Sequence, residues 1–176
     1  DVLRQEINDL NELTEALWDD RAQDWFLRGA GAVLMGKLAT HEFATGGPAY
    51  DLPWPPACNP WFLDRFPGGS SSGSGAAVAA GLLPAALGSD TAGSIRLPAA
   101  FCGVVGLKPT YGRVSKRGVL PLSWTLDTCG PLTWTVEDAA LMLQVIAGHD
   151  ALDPATSNQP VPNFSEQLGS SIDGMR

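Results

Sequence analysis

The chain has 176 residues, enough for one domain with its own core, and a formal net charge of −8, the wrong sign for a face that meets a phosphate backbone. No run approaches the roughly 18 apolar residues that cross a bilayer, and no charged-then-apolar signal segment opens the chain. Neither nucleic acid nor membrane is therefore expected as a partner, and the three well-separated cysteines, Cys58, Cys102 and Cys129, read as free thiols of a cytoplasmic protein. No CxxC or HExxH pattern occurs, so no metal and no cofactor is expected, and His41 and His149 are the only histidines. Asp1 is not an initiator methionine, and the chain reads as a mature product, a fragment or the ordered part of something longer.

In chain order, residues 1–28 contain neither glycine nor proline, and Leu3, Ile7, Leu10, Leu13 and Leu17 approximate one apolar stripe, which predicts one or two helices. After Gly29 and Gly31, Ala32–Leu38 has the composition of a short buried strand. Residues 45–67, rich in Pro, Gly and Trp, predict a long irregular loop, packed through Trp54, Trp61 and Phe62. The small-residue run 68–81 predicts a loop leading into an Ala-rich helix from about Ser74, followed by a strand over Ala85–Ser89. Thr91-Ala92-Gly93-Ser94 predicts a tight turn, Ile95–Phe101 a short helix, and Val104–Leu107 a second buried strand.

Residues 111–134 read as turns and short extended pieces. Thr135, with Asp138 three residues on, resembles a helix N-cap close to a capping box. Val136, Ala139, Ala140, Leu143 and Ile146 keep the helical period, and Gly148 ends the helix. The polar remainder ends in what reads as the approach to a further strand. Strands alternating with helices favour a layered α/β fold.

Two segments carry chemistry: GGSSSGSG at 68–75 and GSDTAGSIRLPAAFCG at 88–103. Four readings compete for them. A flexible linker is one, although apolar, helix-competent sequence follows at once and anchors the loop inside a domain. A phosphate cradle is another, but the lysine of GxxxxGK[ST] is absent. A nucleophile elbow, Gly69-Ser70-Ser71-Ser72-Gly73, would make Ser71 the nucleophile and leave His149 as the one downstream histidine for its triad.

The fourth takes both segments together. Gly68-Gly69-Ser70-Ser71, the run Gly88 to Arg96 and the run Cys102 to Thr110 resemble the amidase signature family of serine amidohydrolases. Matches extend to Gly29–Val33, Gly36-Lys37, Leu126-Asp127, Gly130-Pro131 and Thr135–Ala140. The resemblance implies an α/β amidase signature fold, a central mixed β-sheet covered by helices on both faces. It divides the chain into a helical segment 1–24, the signature core 25–150, and a stretch 151–176 that begins the following part of the same domain.

It also implies a Ser-Ser-Lys triad. By position, Ser94 resembles the nucleophile and Ser70 the bridging serine, held after a cis peptide bond, that relays a proton between lysine and Ser94. A serine hydroxyl needs such a base, and a lysine can serve only if its surroundings keep it neutral. The backbone N–H groups of Ala92, Gly93 and Ser94, with Thr91, resemble the oxyanion hole. Gly68, Gly69, Ser71 and Ser72 fall beside the substrate, and Asp90 and Arg96 tie the nucleophile turn together. The family's V-x-x-K type lysine motif does not occur in this chain. Lys37, Lys108 and Lys116 are its only lysines, and none sits at the position of the base.

The activity implied is hydrolysis of a carboxylic amide through an acyl-enzyme, with a small-molecule amide as partner and, at most, a second copy of the chain as a homodimer. The family also includes the glutamine-hydrolysing A subunit of tRNA-dependent amidotransferase. Leu97, where that subunit carries a polar residue, and the tryptophans Trp54, Trp61 and Trp124 favour a stand-alone amidase. A family member that has lost the lysine and serves as a binding protein is the rival reading.

Overall fold

The computed structural model describes residues 22–45 and 47–174. The helical expectation for residues 1–21, and the end of the chain at 175–176, lie outside them. The described chain opens with helix α1 (Ala22–Gly29). Leu27, one of its buried residues, joins a core with Val114, Cys129, Leu143 and Ile146.

Residues 32–40 form no strand, contrary to the expectation of a short buried one. Val33 and Met35 are 80% and 75% exposed. The hydrogen bonds that fix the end of this run go to the first turn of a later helix and to the loop before it instead: the Gly73 amide donates to the Ala39 carbonyl at 2.7 Å, and the His41 amide donates to the Ser70 carbonyl at 3.0 Å. A single 3-10 turn, Glu42–Ala44, follows. Residues 47–67 are irregular, as their composition predicts, but Trp54, Trp61 and Phe62 are all more than half exposed and do not bury the loop. Instead, the loop docks through polar groups. Asn59 Nδ2 donates to the Phe101 carbonyl (2.8 Å) and Trp61 Nε1 to the Cys102 carbonyl (2.6 Å), which satisfies carbonyls at the C-terminus of a later helix.

Helix α2 (Ser72–Ala79) begins two residues before its predicted start. Strand β1 (Ala85–Asp90) follows, then helix α3 (Arg96–Cys102), the two-residue strand β2 (Val105–Gly106), strand β3 (Thr128–Thr133) and helix α4 (Val136–Ile146). The strand order is β1-β3-β2, with both pairings antiparallel, Gly88 opposite Gly130 and Val105 opposite Thr133. Every residue of β3 is buried. Period-two alternation sends Cys129 into the core with α1 and α4 and Leu132 into a second cluster with Ile95 and Ala99 of the α3 region. Helical structure therefore covers both faces of the sheet. Full burial of Ile95, Leu132 and Ile146 contributes about 1.5–3 kcal/mol each.

The central strand β3 lies inside the stretch expected to be turns and short extended pieces. Its sequence, TCGPLT, carries two residues that argue against a central strand. Both have local reasons. A Cβ on Gly130 would lie 2.2 Å from the Leu107 carbonyl oxygen, so only glycine lets the neighbouring backbone approach. Pro131 has no N–H to donate, but its carbonyl accepts from the Leu107 amide at 3.0 Å.

Helix α4 starts as expected. Thr135 Oγ1 accepts from the Asp138 amide at 3.0 Å, satisfying one of the first turn's unpaired donors. It stops at Ile146 rather than at Gly148, because Ala147 is extended and forms a bridge with Val114. Residues 151–174 are turns and loop. Among the described residues, no helix is long and apolar enough to cross a membrane.

Candidate active site

Two loops meet at the end of β1. The first, residues 68–71, leads into α2, and the second, residues 90–96, joins β1 to α3. The Ser71 amide donates to the Ser94 carbonyl at 3.2 Å, which places the serine pair Ser70-Ser71 directly against Ser94. Further bonds hold the first loop on the sheet. Ser71 Oγ donates to the Ser89 carbonyl and accepts from the Ser89 amide, both at 3.2 Å, and Ser74 Oγ donates to the Leu87 carbonyl at 2.7 Å. Ser72 Oγ donates to the Ala39 carbonyl at 3.3 Å. Ser71, Ser72 and Ser74 thus spend their hydroxyls on scaffold, and Ser71, the nucleophile of the elbow reading, is almost wholly buried.

Ser70 is buried too, and the peptide bond between Gly69 and Ser70 is cis. Gly68, also buried, has φ +81. The imidazole of His41 covers Gly69 so closely that a Cβ there would lie 2.1 Å from its Cε1. His41 is itself buried and stacks on Phe66 with ring centroids 5.8 Å apart. Composition marks His41 only as one of two histidines; its packing against the serine loop has no signal in the sequence.

Asp90 organises the second loop. Its side chain is fully buried. Oδ1 accepts from the Gly93 amide (2.7 Å) and Arg96 Nη2 (2.9 Å). Oδ2 accepts from the Ile95 amide (3.1 Å), the Arg96 amide (3.3 Å) and Arg96 Nε (3.0 Å). Burial pushes the Asp90 carboxyl up, but the hydrogen bonds from Arg96, Ile95 and Gly93 outweigh it and hold the group below its ordinary value. The anion bends the chain from Thr91 to Arg96 into one turn, on which Ser94 is only half-buried. Of the amides expected to form the oxyanion hole, that of Gly93 is engaged by Asp90.

Thr91 is held from the other side. Its hydroxyl donates to Asp127 Oδ1 at 2.5 Å, and Asp127 Oδ2 accepts from the Leu122 and Ser123 amides, both at 2.8 Å. In the sequence Asp127 is part of a matching dipeptide without a role. Ala92 is exposed. Cys102 is buried, which pushes its thiol up and away from the thiolate form, and its Sγ lies 3.4 Å from the Pro67 carbonyl.

Lys108 Nζ donates to the Pro109 carbonyl, Lys116 Nζ donates to Tyr111 Oη and the Trp124 carbonyl, and Lys37 lines a cavity of about 600 Å³ with Leu52 and Trp54. His149 is exposed, with Nδ1 3.1 Å from Thr156 Oγ1, in a turn remote in sequence from either serine loop. Among the described residues, no group of three or more His, Cys, Asp or Glu side chains is arranged to hold a metal.

Comparison with known proteins identifies the family. A model of the Amidase family matches residues 25–176. The chain is 55% identical over 164 residues to the A subunit of a glutamyl-tRNA(Gln) amidotransferase of Prochlorococcus marinus, covering 93% of this chain and 32% of that protein. The crystal structure of a glutamyl-tRNA(Gln) amidotransferase A subunit from Thermotoga maritima superposes with a TM-score of 0.77 at 49% identity, covering 81% of this chain and 31% of the other. A peptide amidase from Stenotrophomonas maltophilia superposes with a TM-score of 0.74 at 45% identity, covering 82% and 31%. The chain thus spans about a third of the length of the curated relatives it matches.

Proposed function

The chain belongs to the amidase signature family, and from that membership we propose that it carries the nucleophile and the relay serine of an amide-hydrolysing enzyme. Ser94 Oγ attacks the amide carbonyl, and its proton passes through the Ser70 hydroxyl to a neutral lysine supplied from outside these residues. The C–N bond breaks as the leaving nitrogen takes that proton back, releasing ammonia or an amine and leaving an acyl ester on Ser94. Water then attacks the ester by the same relay, freeing the acid and restoring Ser94. The oxyanion hole is assigned to the turn Thr91–Ser94, with the amides of Ala92 and Ser94 nearest the reacting carbonyl. We assign the core to residues 25–150, with 1–24 preceding it and 151–176 beginning the following part.

The observation that carries this reading is the backbone bond from the Ser71 amide to the Ser94 carbonyl. It draws the two small-residue loops into one site, where a linker or a phosphate cradle would need no such pairing. The test is amide turnover by the native enzyme and by Ser70→Ala and Ser94→Ala. Each should lower kcat by about three orders of magnitude or more, as loss of a nucleophile or its relay does elsewhere. A wild-type rate in either variant refutes the role given to that serine.

A second reading gains support from the 55–57% identity to glutamyl-tRNA(Gln) amidotransferase A subunits. In it, the amide is glutamine and hydrolysis serves an amidotransferase complex. Leu97, about half exposed and lying against Gly93, and the exposed Trp124 favour a less polar substrate. Glutaminase activity that appears only with a partner chain selects the second reading; turnover of simple or aryl amides by the isolated enzyme selects the first.

A further inference from the structure

We infer that Asp127 is a positioning residue, which couples the loop 120–126 to the oxyanion turn through the hydroxyl of Thr91. The inference rests on the function proposed for that turn, and it assigns a role to a residue outside both serine loops.

Asp127 is buried, 6% exposed, and its two oxygens face in different directions. Oδ1 takes the Thr91 hydroxyl at 2.5 Å, and Oδ2 takes the amides of Leu122 and Ser123 at 2.8 Å each. A carboxylate that accepts several short bonds is held in one orientation, and bonds to a charged acceptor are about twice as strong as neutral ones. Thr91 directly follows Asp90, whose carboxylate grips the amides of Gly93, Ile95 and Arg96. The turn is therefore clamped at its far end by Asp90 and at its first residue by Asp127. The peptide unit joining Thr91 to Ala92 lies between the clamps, and it supplies one of the amides that would meet a developing oxyanion.

The same carboxylate reaches outward. The loop it holds presents Leu120, Leu122, Trp124 and Leu126, all 44–76% exposed. Its tip is fixed separately: Tyr111 Oη donates to the Trp124 carbonyl at 2.8 Å, and Lys116 Nζ reaches the same carbonyl and sits over the Tyr111 ring. A shift of this loop therefore pulls on Asp127 Oδ2, and through Oδ1 on Thr91. This gives a bulky apolar group that touches the loop a mechanical route to the amides that stabilise the transition state, so the loop acts on kcat as well as on binding.

The test uses the native enzyme with Thr91→Val, Thr91→Ser, Asp127→Asn and the Thr91→Val/Asp127→Asn double variant, read by kcat and KM and by amide hydrogen exchange. Thr91→Val deletes the donor, and Thr91→Ser keeps it. Thr91→Val should lower kcat about 10- to 100-fold, short of the loss of an oxyanion donor itself, and change KM less than about threefold, while Thr91→Ser, which keeps the hydroxyl, should recover most of that loss in kcat. Asp127→Asn should lower kcat comparably, and the double variant should be no slower than the slower single, because both changes break one linkage. Hydrogen exchange over residues 91–94 should rise in both single variants, and over 121–126 in Asp127→Asn. A Thr91→Val enzyme with kcat within about threefold of wild type, or a double variant whose losses multiply, overturns the inference. If the wild-type protein turns over no amide, the proposed function fails instead. Exchange then decides alone: a rise over 91–94 in Asp127→Asn sustains the coupling, and no rise overturns it.

Discussion

The Ser71 amide donates to the Ser94 carbonyl at 3.2 Å, joining backbone to backbone two loops that lie on opposite sides of strand β1 in sequence. Ser71 then turns its hydroxyl to both backbone groups of Ser89. One residue thus locks the serine loop to the strand and to the turn that carries Ser94. Ser71→Ala should cost about 1 kcal/mol of stability, since it leaves two backbone groups of the half-buried Ser89 without this partner, and should lower activity only as far as the loop loosens. Thermal unfolding alongside amide turnover separates this structural role from that of Ser70, whose loss should leave the melting temperature nearly unchanged.

Asp90 should be the costlier position. Removing a fully buried carboxylate leaves the amides of Gly93, Ile95 and Arg96 without their acceptor, and each buried donor stranded in this way costs about 1–3 kcal/mol. Asp90→Ala should therefore lower the unfolding midpoint sharply and abolish turnover. Arg96→Met should do less, because its guanidinium is half exposed and the three amide bonds survive. Denaturant unfolding of the two variants orders them.

The pH dependence follows from Asp90 and Asp150. Burial raises the carboxyl of each, but for Asp90 the bonds from Arg96, Ile95 and Gly93 prevail, and for Asp150 those from the Leu152 amide, Ser115 and Arg117. Both therefore titrate below their ordinary value of 3.8 in the folded protein. A carboxyl depressed in the folded state contributes its stability fully above the unfolded value, and loses it as pH falls through the folded one. Stability should accordingly be level near neutrality with respect to these groups and fall below about pH 4. Asp90→Asn should flatten that acid limb, as thermal melts between about pH 2 and 6 would reveal.

Gly69→Ala tests the close packing under the serine loop. A Cβ would meet the His41 ring at 2.1 Å, and the buried ring has little room to retreat. Overpacking of this kind costs about 1–3 kcal/mol. Here it should also displace Ser70, so kcat falls further than stability alone predicts. Pairing it with His41→Ala, which removes the obstruction, should recover part of the stability in urea unfolding.

The candidate site is largely legible in the sequence because its residues lie in contiguous small-residue runs: 68–75 and 88–96 hold both serines, the turn and Asp90, and the structure brings the two runs together. Helix α4 is legible as well, since Thr135 caps it and its apolar residues keep one period. Strand β3 is not. Gly130 and Pro131 are poor strand residues, and their reason for being there, the approach of Leu107, is a tertiary contact. The reverse error befalls Ala32–Leu38, whose apolar composition matches a buried strand although the backbone bonds just past its end go to the serine loop and the start of α2. His41 and Asp127 escape for the same cause: each acts across a long stretch of chain, on Gly69 and Thr91, and no local pattern encodes that.

Covalent capture bears on the role of Ser94 without needing to know the substrate. Native enzyme is treated with a fluorophosphonate, whose phosphorus bonds to an activated serine oxygen as fluoride leaves, and the labelled peptide is located by mass spectrometry. If Ser94 is the nucleophile, a single adduct forms on it, absent from Ser94→Ala and strongly slowed in Ser70→Ala. A folded, unlabelled wild-type protein, or an adduct on Ser71 instead, contradicts that role.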